Sequence, residues 1–488
     1  MIEFHAYDLA TILPELFLLG ATCAILLIDL FLKSTQRDVT HWLSVFALAV
    51  TGILVWRNSL PDGVSLSAFN DMFVLDGMAT ILKLFILLVT IAVCLYGRVY
   101  LRDRKLHIGE FYLLILFATL GMMLLVSAGN MITVYLGLEL LTLSQYALVA
   151  LNRDSSASSE AAIKYFVLGA LASGLLLYGM SMIYGATGTL DLAKIHVVVG
   201  DMLTSPHRTL LAFGLVFLIT GIAFKFGAAP FHMWIPDVYQ GAPTAMVVFV
   251  GSAPKLAAFG MAYRLLEGAM GGMHADWTLM LSVLAVLSLA IGNVFAIAQT
   301  NLKRLLGYST ISHIGFLLLG FVNGTPSGFA AALFYAISYA LMATVAFGMI
   351  LMLARTGFEA EEIDDFKGLN QRNPWYAGVM AIAMFSLAGV PPLFGFFAKL
   401  MVLKAAIDAG QLWLAIVAIV FAIIGLYYYL RVVKVMYFDE PADDAPLDLP
   451  ADLAFRWALS INGLALLVLG IAWGPLLDWC TRAFLPVS

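Results

Sequence analysis

The sequence predicts an all-α, polytopic membrane protein with about fourteen transmembrane helices. Of its 488 residues, 62% are apolar and 12% are charged, whereas soluble domains carry about 25% charged residues. A soluble fold of this size has too much surface to keep so many apolar side chains away from water. The apolar residues also fall in long runs, so the bilayer is the expected solvent.

Fourteen apolar runs are long enough to cross a bilayer, which takes about 20 helical residues. They are residues 10–32, 40–57, 74–97, 111–128, 131–151, 160–185, 209–240, 242–266, 276–298, 301–321, 328–354, 374–409, 411–437 and 454–478. The seventh and twelfth runs contain prolines and are too long for one straight helix, so both are predicted to be broken. No cationic signal-peptide region precedes the first run, which is therefore interpreted as a retained helix.

The positions of the cations predict the orientation. Fifteen lysine and arginine residues lie in alternate loops or at the helix ends beside them, and six lie on the opposite side. By the positive-inside rule the larger set faces the cytoplasm, which places both termini on the outer, periplasmic side of a bacterial inner membrane. The other five cations lie within predicted spans, and all are lysines: Lys83, Lys164, Lys225, Lys255 and Lys399.

Buried lysines without any buried arginine indicate proton exchange. A lysine can lose its proton when it is desolvated, whereas an arginine stays charged everywhere. A lysine at mid-bilayer costs about 2.5–3.5 kcal/mol on insertion, and such residues usually have a function. Snorkelling to the interface is the alternative. For Lys83, with Asp76 two turns earlier, snorkelling or pairing explains the lysine equally well, so Lys83 is not a candidate.

Two carboxylates accompany the other lysines. Glu160 lies four residues before Lys164, a spacing that puts both on one helix face. This pair is either an interfacial anchor or a point of proton uptake from the cytoplasm. Glu139 lies roughly 13 and 20 Å from the two ends of its helix, too deep for a short side chain to reach water. We therefore expect it to have a cationic partner on another helix.

The central lysines all lie close to prolines: Lys225 before Pro230, Lys255 directly after Pro254, and Lys399 after Pro392. A proline within a helix removes the hydrogen bond to the carbonyl four residues earlier. The carbonyls expected to be freed are those of Phe226, Val250, Leu387 and Ala388. Irregular backbone at membrane depth is tolerated where it is buried in protein or lines a cavity, and it marks transport sites.

His313 lies in the middle of the tenth run. A lone histidine is usually a packing residue, but its distance to Lys399 is 86 residues, and the distance from Glu139 to Lys225 is the same. This spacing suggests two five-helix repeats, spans 4–8 and 9–13, inverted because five is odd. The predicted divisions are residues 1–110, 111–266 for the first repeat, 267–437 for the second repeat, and 438–488.

Three segments resemble motifs of the antiporter-like membrane subunit family: KFGAAPFHMWIPDVYQGAPTAMVVFVGSAPK (225–255), LKRLLGYSTISHIGF (302–316) and LAGVPPLFGFFAK (387–399). The family includes three large subunits of respiratory complex I, the proton-translocating NADH-quinone oxidoreductase, and subunits of cation/proton antiporters and membrane-bound hydrogenases. This chain is most similar to the complex I type with DVYQGAPT and Lys255. A second type carries a glutamate in place of Lys399, and a third has a long lateral helix at its C-terminus.

The resemblance implies that Glu139, Lys225, Lys255 and Lys399 are the family's functional glutamate and lysines. It also implies as partners other complex I membrane subunits, including the other antiporter-like ones, together with the lipid bilayer and protons. No nucleic acid is expected. FMN, iron–sulfur clusters and quinone are expected in partner subunits and no cofactor in this chain.

The chain lacks a nucleotide-binding motif, and its three scattered cysteines, Cys23, Cys94 and Cys480, support no metal or cluster site. Energy must therefore come from a partner, or else from ion exchange in an antiporter, which is the alternative function. The predicted proton path comprises Glu139, Lys225, Lys255, Lys399, His313, Lys164 and Glu160.

Overall fold

The computed structural model describes residues 6–204, 206–441 and 452–485. Both termini, which were predicted to be periplasmic, lie outside the described residues. Most of the predicted loop before the last helix also lies outside them. The regular secondary structure of the described part is helical apart from one short hairpin.

The elements before the first predicted repeat are α1 (Ala6–Thr11), α2 (Leu13–Asp29), α3 (Asp38–Arg57), β1 (Leu66–Ala68), β2 (Phe73–Leu75) and α4 (Gly77–Asp103). Those of the first repeat are α5 (Gly109–Val126), α6 (Met131–Val149), α7 (Ser156–Thr187), α8 (Leu192–Asp201), α9 (Arg208–Phe226), α10 (Trp234–Gly241), α11 (Thr244–Val250) and α12 (Ala253–Leu266). The second repeat and the C-terminal part contain α13 (His274–Ile297), α14 (Leu302–Val322), α15 (Pro326–Leu353), α16 (Leu369–Arg372), α17 (Pro374–Ala388), α18 (Phe394–Asp408), α19 (Leu412–Phe438), α20 (Leu453–Ile471) and α21 (Gly474–Arg482).

Every predicted apolar run overlaps at least one of these helices. In the described part of the chain, twelve helices are long and apolar enough to cross a membrane. The first run holds the shorter α2, of 17 residues, and the twelfth holds α17 and α18, of 15 residues each. The predicted breaks in the seventh and twelfth helices are confirmed, between α9 and α10 and between α17 and α18. The eighth is also interrupted, at Gly251 and Ser252 between α11 and α12.

Two elements differ from the sequence prediction. The third span was predicted to begin at residue 74, but residues 73–75 form β2, which pairs antiparallel with β1. The helix begins only after Asp76, whose carboxylate accepts a hydrogen bond from the backbone N–H of Ala79 and caps α4. The sequence analysis also missed α8, which is too short to span a membrane and buries one face through Leu192, Ile195 and Val199.

One backbone contact occurs twice in the chain. The first bridge joins Asn130, the N-cap of α6, to Asp191, and the second bridge joins Asn301, the N-cap of α14, to Glu362. Both hydrogen bonds of the first bridge recur in the second between residues 171 positions further along the chain. In the predicted orientation the first bridge is on the outer side and the second on the cytoplasmic side, as inverted repeats require.

The two broken helices are also equivalent to each other, but their separation in the sequence differs from the 171 positions between the two bridges. Each N-terminal half ends at a glycine with left-handed backbone, Gly227 with φ 80° and Gly389 with φ 87°, a conformation that glycine adopts without strain. A proline follows three residues later in both, and the two glycines are 162 positions apart. Lys399 therefore corresponds to Asp237 and not to Lys225. The 86-residue spacing seen in the sequence does not join equivalent positions.

The centre of the molecule is formed by the eighth span together with α14 and α15. These three are entirely enclosed by the rest of the chain, whereas α7, α19 and α20 leave most of their surface outward. The breaks of the seventh and twelfth helices face this enclosed centre, because α12 packs on α9 and α15 packs on both α17 and α18. The central lysines are therefore shielded from lipid by protein.

Candidate functional site

Lys255 binds a carbonyl at the first helix break. Its Nζ donates a 2.8 Å hydrogen bond to the carbonyl oxygen of Phe226, the last residue of α9, and lies 5.0 Å from the centre of the Trp234 ring. The indole Nε1–H of Trp234 donates to the carbonyl of Phe224 at 3.0 Å. The carbonyl of Phe226, which the broken helix leaves without a helical partner, is thus satisfied by Lys255, and the carbonyl of Phe224 accepts from Trp234 in addition to the Gly227 N–H.

Lys399 binds the second break in a similar way. Its Nζ donates to the carbonyl oxygens of Leu387 at 2.9 Å and Ala388 at 2.8 Å, at the end of α17. These carbonyls and that of Phe226 are three of the four that the prolines were predicted to free, and all three accept from a buried lysine. The negative end of a helix dipole stabilises a cation at such a position.

Lys225, in the last turn of α9, has a different kind of partner. Its Nζ donates to the side-chain carbonyl oxygen of Gln145 at 2.9 Å, and the Tyr165 hydroxyl donates to the same oxygen at 3.1 Å. No ion pair within 4 Å joins Lys225 to Glu139 in the described part of the chain. The Oε1 atom of Glu139 is buried and has no hydrogen-bond partner. The cationic partner expected for Glu139 is therefore not in contact with it in this structure.

His313 lies within a group of hydroxyl side chains. Its Nδ1 is 2.6 Å from the Tyr335 hydroxyl and its Nε2 is 3.2 Å from the Tyr429 hydroxyl, which in turn is 2.5 Å from the Ser309 hydroxyl. The ring is only 2% exposed. It connects to Lys399 through the Phe316 ring, which lies 5.0 Å from the lysine Nζ and stacks on Tyr335.

Glu160 and Lys164 lie at the mouth of a cavity of about 400 Å³. Lys164 forms ion pairs with Glu160 at 2.8 Å and with Asp237 at 2.9 Å, and its side chain is 44% exposed. Arg304 binds the other oxygen of Asp237 at 2.8 Å. The cavity leads from solvent to the second half of the broken seventh helix, on the side predicted to be cytoplasmic.

Lys83 is paired, but not with Asp76. Its Nζ lies 2.6 Å from Glu15 on α2, and both side chains are almost fully buried. Asp76 instead forms a 2.7 Å ion pair with Arg264. The sequence reading chose Asp76 because it shares a helix face with Lys83, and local spacing cannot show a partner on another helix.

Sequence reasoning missed Gln145, Asp237, Tyr335 and Tyr429. Asp237 could have been found, because it lies ten residues after the Gly227 turn just as Lys399 lies ten after Gly389. Gln145 could have been found because it is a polar residue in an apolar span, six residues after Glu139. In the described residues no group of three or more histidine, cysteine or acidic side chains is arranged to hold a metal.

Comparison with known proteins gives consistent relatives. The family described as NADH:quinone oxidoreductase/Mrp antiporter, TM, matches residues 128–425. A protein of Thioalkalivibrio sulfidiphilus is 53% identical over 483 residues, which cover 98% of this chain and 99% of that protein, and one of Xanthomonas euvesicatoria is 56% identical over 477 residues, which cover 98% and 96%. Both are named NADH-quinone oxidoreductase subunit N.

Two solved structures share the fold. A chain of respiratory complex I from Thermus thermophilus with bound aureothin is 31% identical, with a TM-score of 0.80 and coverage of 95% of this chain and 98% of that one. A chain of the Mrp complex from Dietzia sp. is 22% identical, with a TM-score of 0.82 and coverage of 99% and 97%, which shows the fold alone. This chain belongs to the NADH-quinone oxidoreductase subunit N family, within the NADH:quinone oxidoreductase/Mrp antiporter membrane proteins.

Proposed function

We propose that this chain is a proton-translocating membrane subunit of an NADH-quinone oxidoreductase, which couples electron transfer in partner subunits to proton movement across a bacterial inner membrane. The chain itself holds no redox site. FMN, iron–sulfur clusters and quinone belong to the partner subunits, and the other antiporter-like subunits are its neighbours in the membrane. The names of the relatives and the fold support this proposal.

One observation carries the proton-translocating role. Lys225, Lys255 and Lys399 are each at most 9% exposed, and in the described part of the chain none has a carboxylate within 4 Å. Each donates instead to an uncharged carbonyl or amide oxygen. Lys83, by contrast, is buried against the carboxylate of Glu15. A lysine held by neutral oxygens can release its proton without leaving a buried anion unpaired, whereas Lys83 cannot.

The geometry supports a path through the enclosed centre. Protons enter from the cytoplasmic cavity near Glu160 and Lys164 and reach Lys225. They pass through Lys255 and the hydroxyl group around His313, and leave outward from Lys399. Glu139 acts as the switch, because its charge favours the protonated form of Lys225 when the two side chains approach each other.

The energy for this movement comes from outside the chain. Moving one charge against the membrane potential costs about 2.3 kcal/mol per 100 mV, and the sequence contains no nucleotide-binding motif. An antiporter subunit, driven by a second ion, is the alternative function. The relatives that share more than half of the residues are named for the oxidoreductase, which favours the first function.

The test is Lys225→Ala in membrane vesicles, with assembly checked on native gels. We expect NADH-driven proton uptake to fall about tenfold or more, with quinone reduction falling alongside it if coupling is tight, because the path loses its first exchangeable group. Lys404→Ala is the matched control, since Lys404 is exposed and paired only with Asp408. Normal pumping by assembled Lys225→Ala would exclude the proposed path. Proton movement that depends on sodium or potassium and not on NADH would favour the antiporter.

A further inference from the structure

Gln145 is the only direct hydrogen-bond partner that the described residues provide for the Lys225 ammonium. We propose that Gln145 is a positioning residue that holds Lys225 in both of its protonation states, as a neutral alternative to the carboxylate of Glu139. This inference rests on the proposed function and adds to it the group that allows Lys225 to release its proton.

The contact is short and fully enclosed. Gln145 is 1% exposed, on α6, and its Oε1 accepts one hydrogen bond from Lys225 on α9 and one from Tyr165 on α7. Tyr165 stacks on Trp234 with ring centres 4.6 Å apart, and Trp234 packs beneath Lys255. Tyr165 thus links Gln145, the partner of Lys225, to Trp234, the ring beside Lys255.

The carboxamide can bind either form of the lysine. Its oxygen accepts from an ammonium, as seen here, and its NH₂ group can donate to the lone pair of a neutral amine. The Nε2 atom of Gln145 is buried without a hydrogen-bond partner in the described residues, so these donors are available when the amide rotates. An ionised carboxylate accepts from the N–H groups of either form but has no donor for the lone pair of the neutral amine, so at this position it would favour the ammonium.

In this proposal α6 carries two different acceptors for Lys225, and one of them, Gln145, contacts it in this structure. Glu139 lies six residues before Gln145, about 9 Å along the helix axis, and its unpartnered Oε1 is the second buried polar atom of this helix that lacks a hydrogen bond. At Glu139 the lysine retains its proton because its partner is an anion. At Gln145 its partner is neutral, and the proton can pass on toward Lys255.

The decisive variant is Gln145→Glu, which keeps the shape and both hydrogen bonds of the acceptor oxygen. If Gln145 only supports the packing, a carboxylate serves equally well and activity stays at the parental level. If Gln145 must be neutral, the carboxylate keeps the proton on Lys225, and proton uptake by assembled complex falls about tenfold at neutral pH.

A pH series supplies the second measurement. The charged or titratable groups around Lys225 are Glu139, Lys255, Tyr146 and Tyr165, and all are present in both the parent and the variant. We expect the defect of Gln145→Glu to lessen between about pH 7 and pH 9, because a proton held by an added carboxylate leaves more readily when fewer protons are available. A packing defect would be independent of pH.

Ser144→Ala is the matched control, because Ser144 is the neighbour of Gln145 on α6 and its hydroxyl donates to the carbonyl of Leu140 on the same helix; less than about a twofold change is expected. If Gln145→Glu does not assemble, the comparison is repeated with the shorter pair Gln145→Asn and Gln145→Asp. We then expect higher proton uptake from Gln145→Asn than from Gln145→Asp. Parental proton uptake by Gln145→Glu, or equal proton uptake by Gln145→Asp and Gln145→Asn, would overturn the proposed role of Gln145. An inactive Lys225→Ala would still support the proposed function in that case. Normal pumping by Lys225→Ala would overturn both.

Discussion

At both helix breaks, side chains bind backbone carbonyls that have no partner within the helix, but the side chains that bind them differ. At the first break, between α9 and α10, the freed carbonyl of Phe226 binds Lys255 from another helix, and the lysine next to it in sequence, Lys225, binds Gln145. At the second break, between α17 and α18, Lys399 folds back from the same broken helix and binds both freed carbonyls. The first break thus involves two lysines and the second only one.

The two breaks therefore differ in what can change the proton affinity of their lysines. Lys225 binds a carboxamide of α6, and the proposed switch gives it the carboxylate of Glu139 as a second partner, so its proton affinity can change when its partner changes. Lys399 binds two backbone carbonyls and lies beside the Phe316 ring, and no described carboxylate lies within 4 Å of it. Under the proposed function, the first break therefore controls the release of a proton and the second passes the proton on.

The largest effect is expected for Lys399→Arg. Arginine can retain the hydrogen bonds to the two carbonyls, but it does not release a proton at accessible pH, so NADH-driven proton uptake should fall about tenfold or more. Vesicle assays on assembled complex test this, with Lys399→Ala alongside. If arginine supports normal pumping and alanine does not, Lys399 is a fixed charge and the second break does not exchange protons.

A somewhat smaller loss, about fivefold, is expected for Glu139→Gln, because the variant keeps the shape of the side chain and removes the charge that favours the ammonium of Lys225. The complex should assemble, since no ion pair within 4 Å is broken in this structure. Glu139→Asp keeps the charge with a shorter reach and should retain part of the activity. Proton uptake and native gels measure both, and normal pumping by Glu139→Gln would remove the proposed difference between the two breaks.

We expect Trp234→Phe to lower NADH-driven proton uptake about twofold to threefold, which corresponds to about half a kcal/mol in activation free energy. The variant removes the Nε1–H donor to the carbonyl of Phe224 and weakens the packing of Lys255 over the ring. Phe316→Leu at the second break removes the ring beside Lys399 and serves as its counterpart. Equal losses in the two variants would mean that the aromatic rings contribute similarly at both breaks.

The smallest effect is expected for Lys164→Ala, less than about twofold, because exposed ion pairs contribute little. Lys164 is 44% exposed, and Arg304 continues to neutralise Asp237 without it. Proton uptake at several external pH values is the measurement. A loss as large as that of Lys225→Ala would show that the cavity mouth, and not the first break, controls the access of protons.

The parts of the site that the sequence predicted follow from local chemistry. A proline removes one specific hydrogen bond, so the residue pattern alone identifies Phe226, Leu387 and Ala388 as acceptors, and the breaks follow from the length of the apolar runs. The partner of each carbonyl could not be predicted with the same rule. Lys255 comes from another helix, and only the fold shows that it reaches Phe226.

Contacts between distant helices account for the errors. Glu15 and Lys83 are 68 positions apart in the sequence, and nothing in either segment indicates that α2 and α4 pair there. The 86-residue spacing was misleading because the segment between the bridge and the helix break is longer in the first repeat: Asp191 and Gly227 are 36 positions apart, but Glu362 and Gly389 only 27. The additional length includes α8, which the sequence reading took as a loop.

The two backbone bridges have a mechanical consequence. Each fastens the start of one helix to the segment that follows the next helix, and in the predicted orientation they do so at opposite faces of the membrane. Helices anchored in this way cannot slide past one another at their ends without losing two backbone hydrogen bonds. If a neighbouring subunit displaces these helices, we expect the movement to be taken up between the bridges, where Gly227 and Gly389 interrupt the seventh and twelfth helices. Such a movement would change the positions of Lys225 and Lys399.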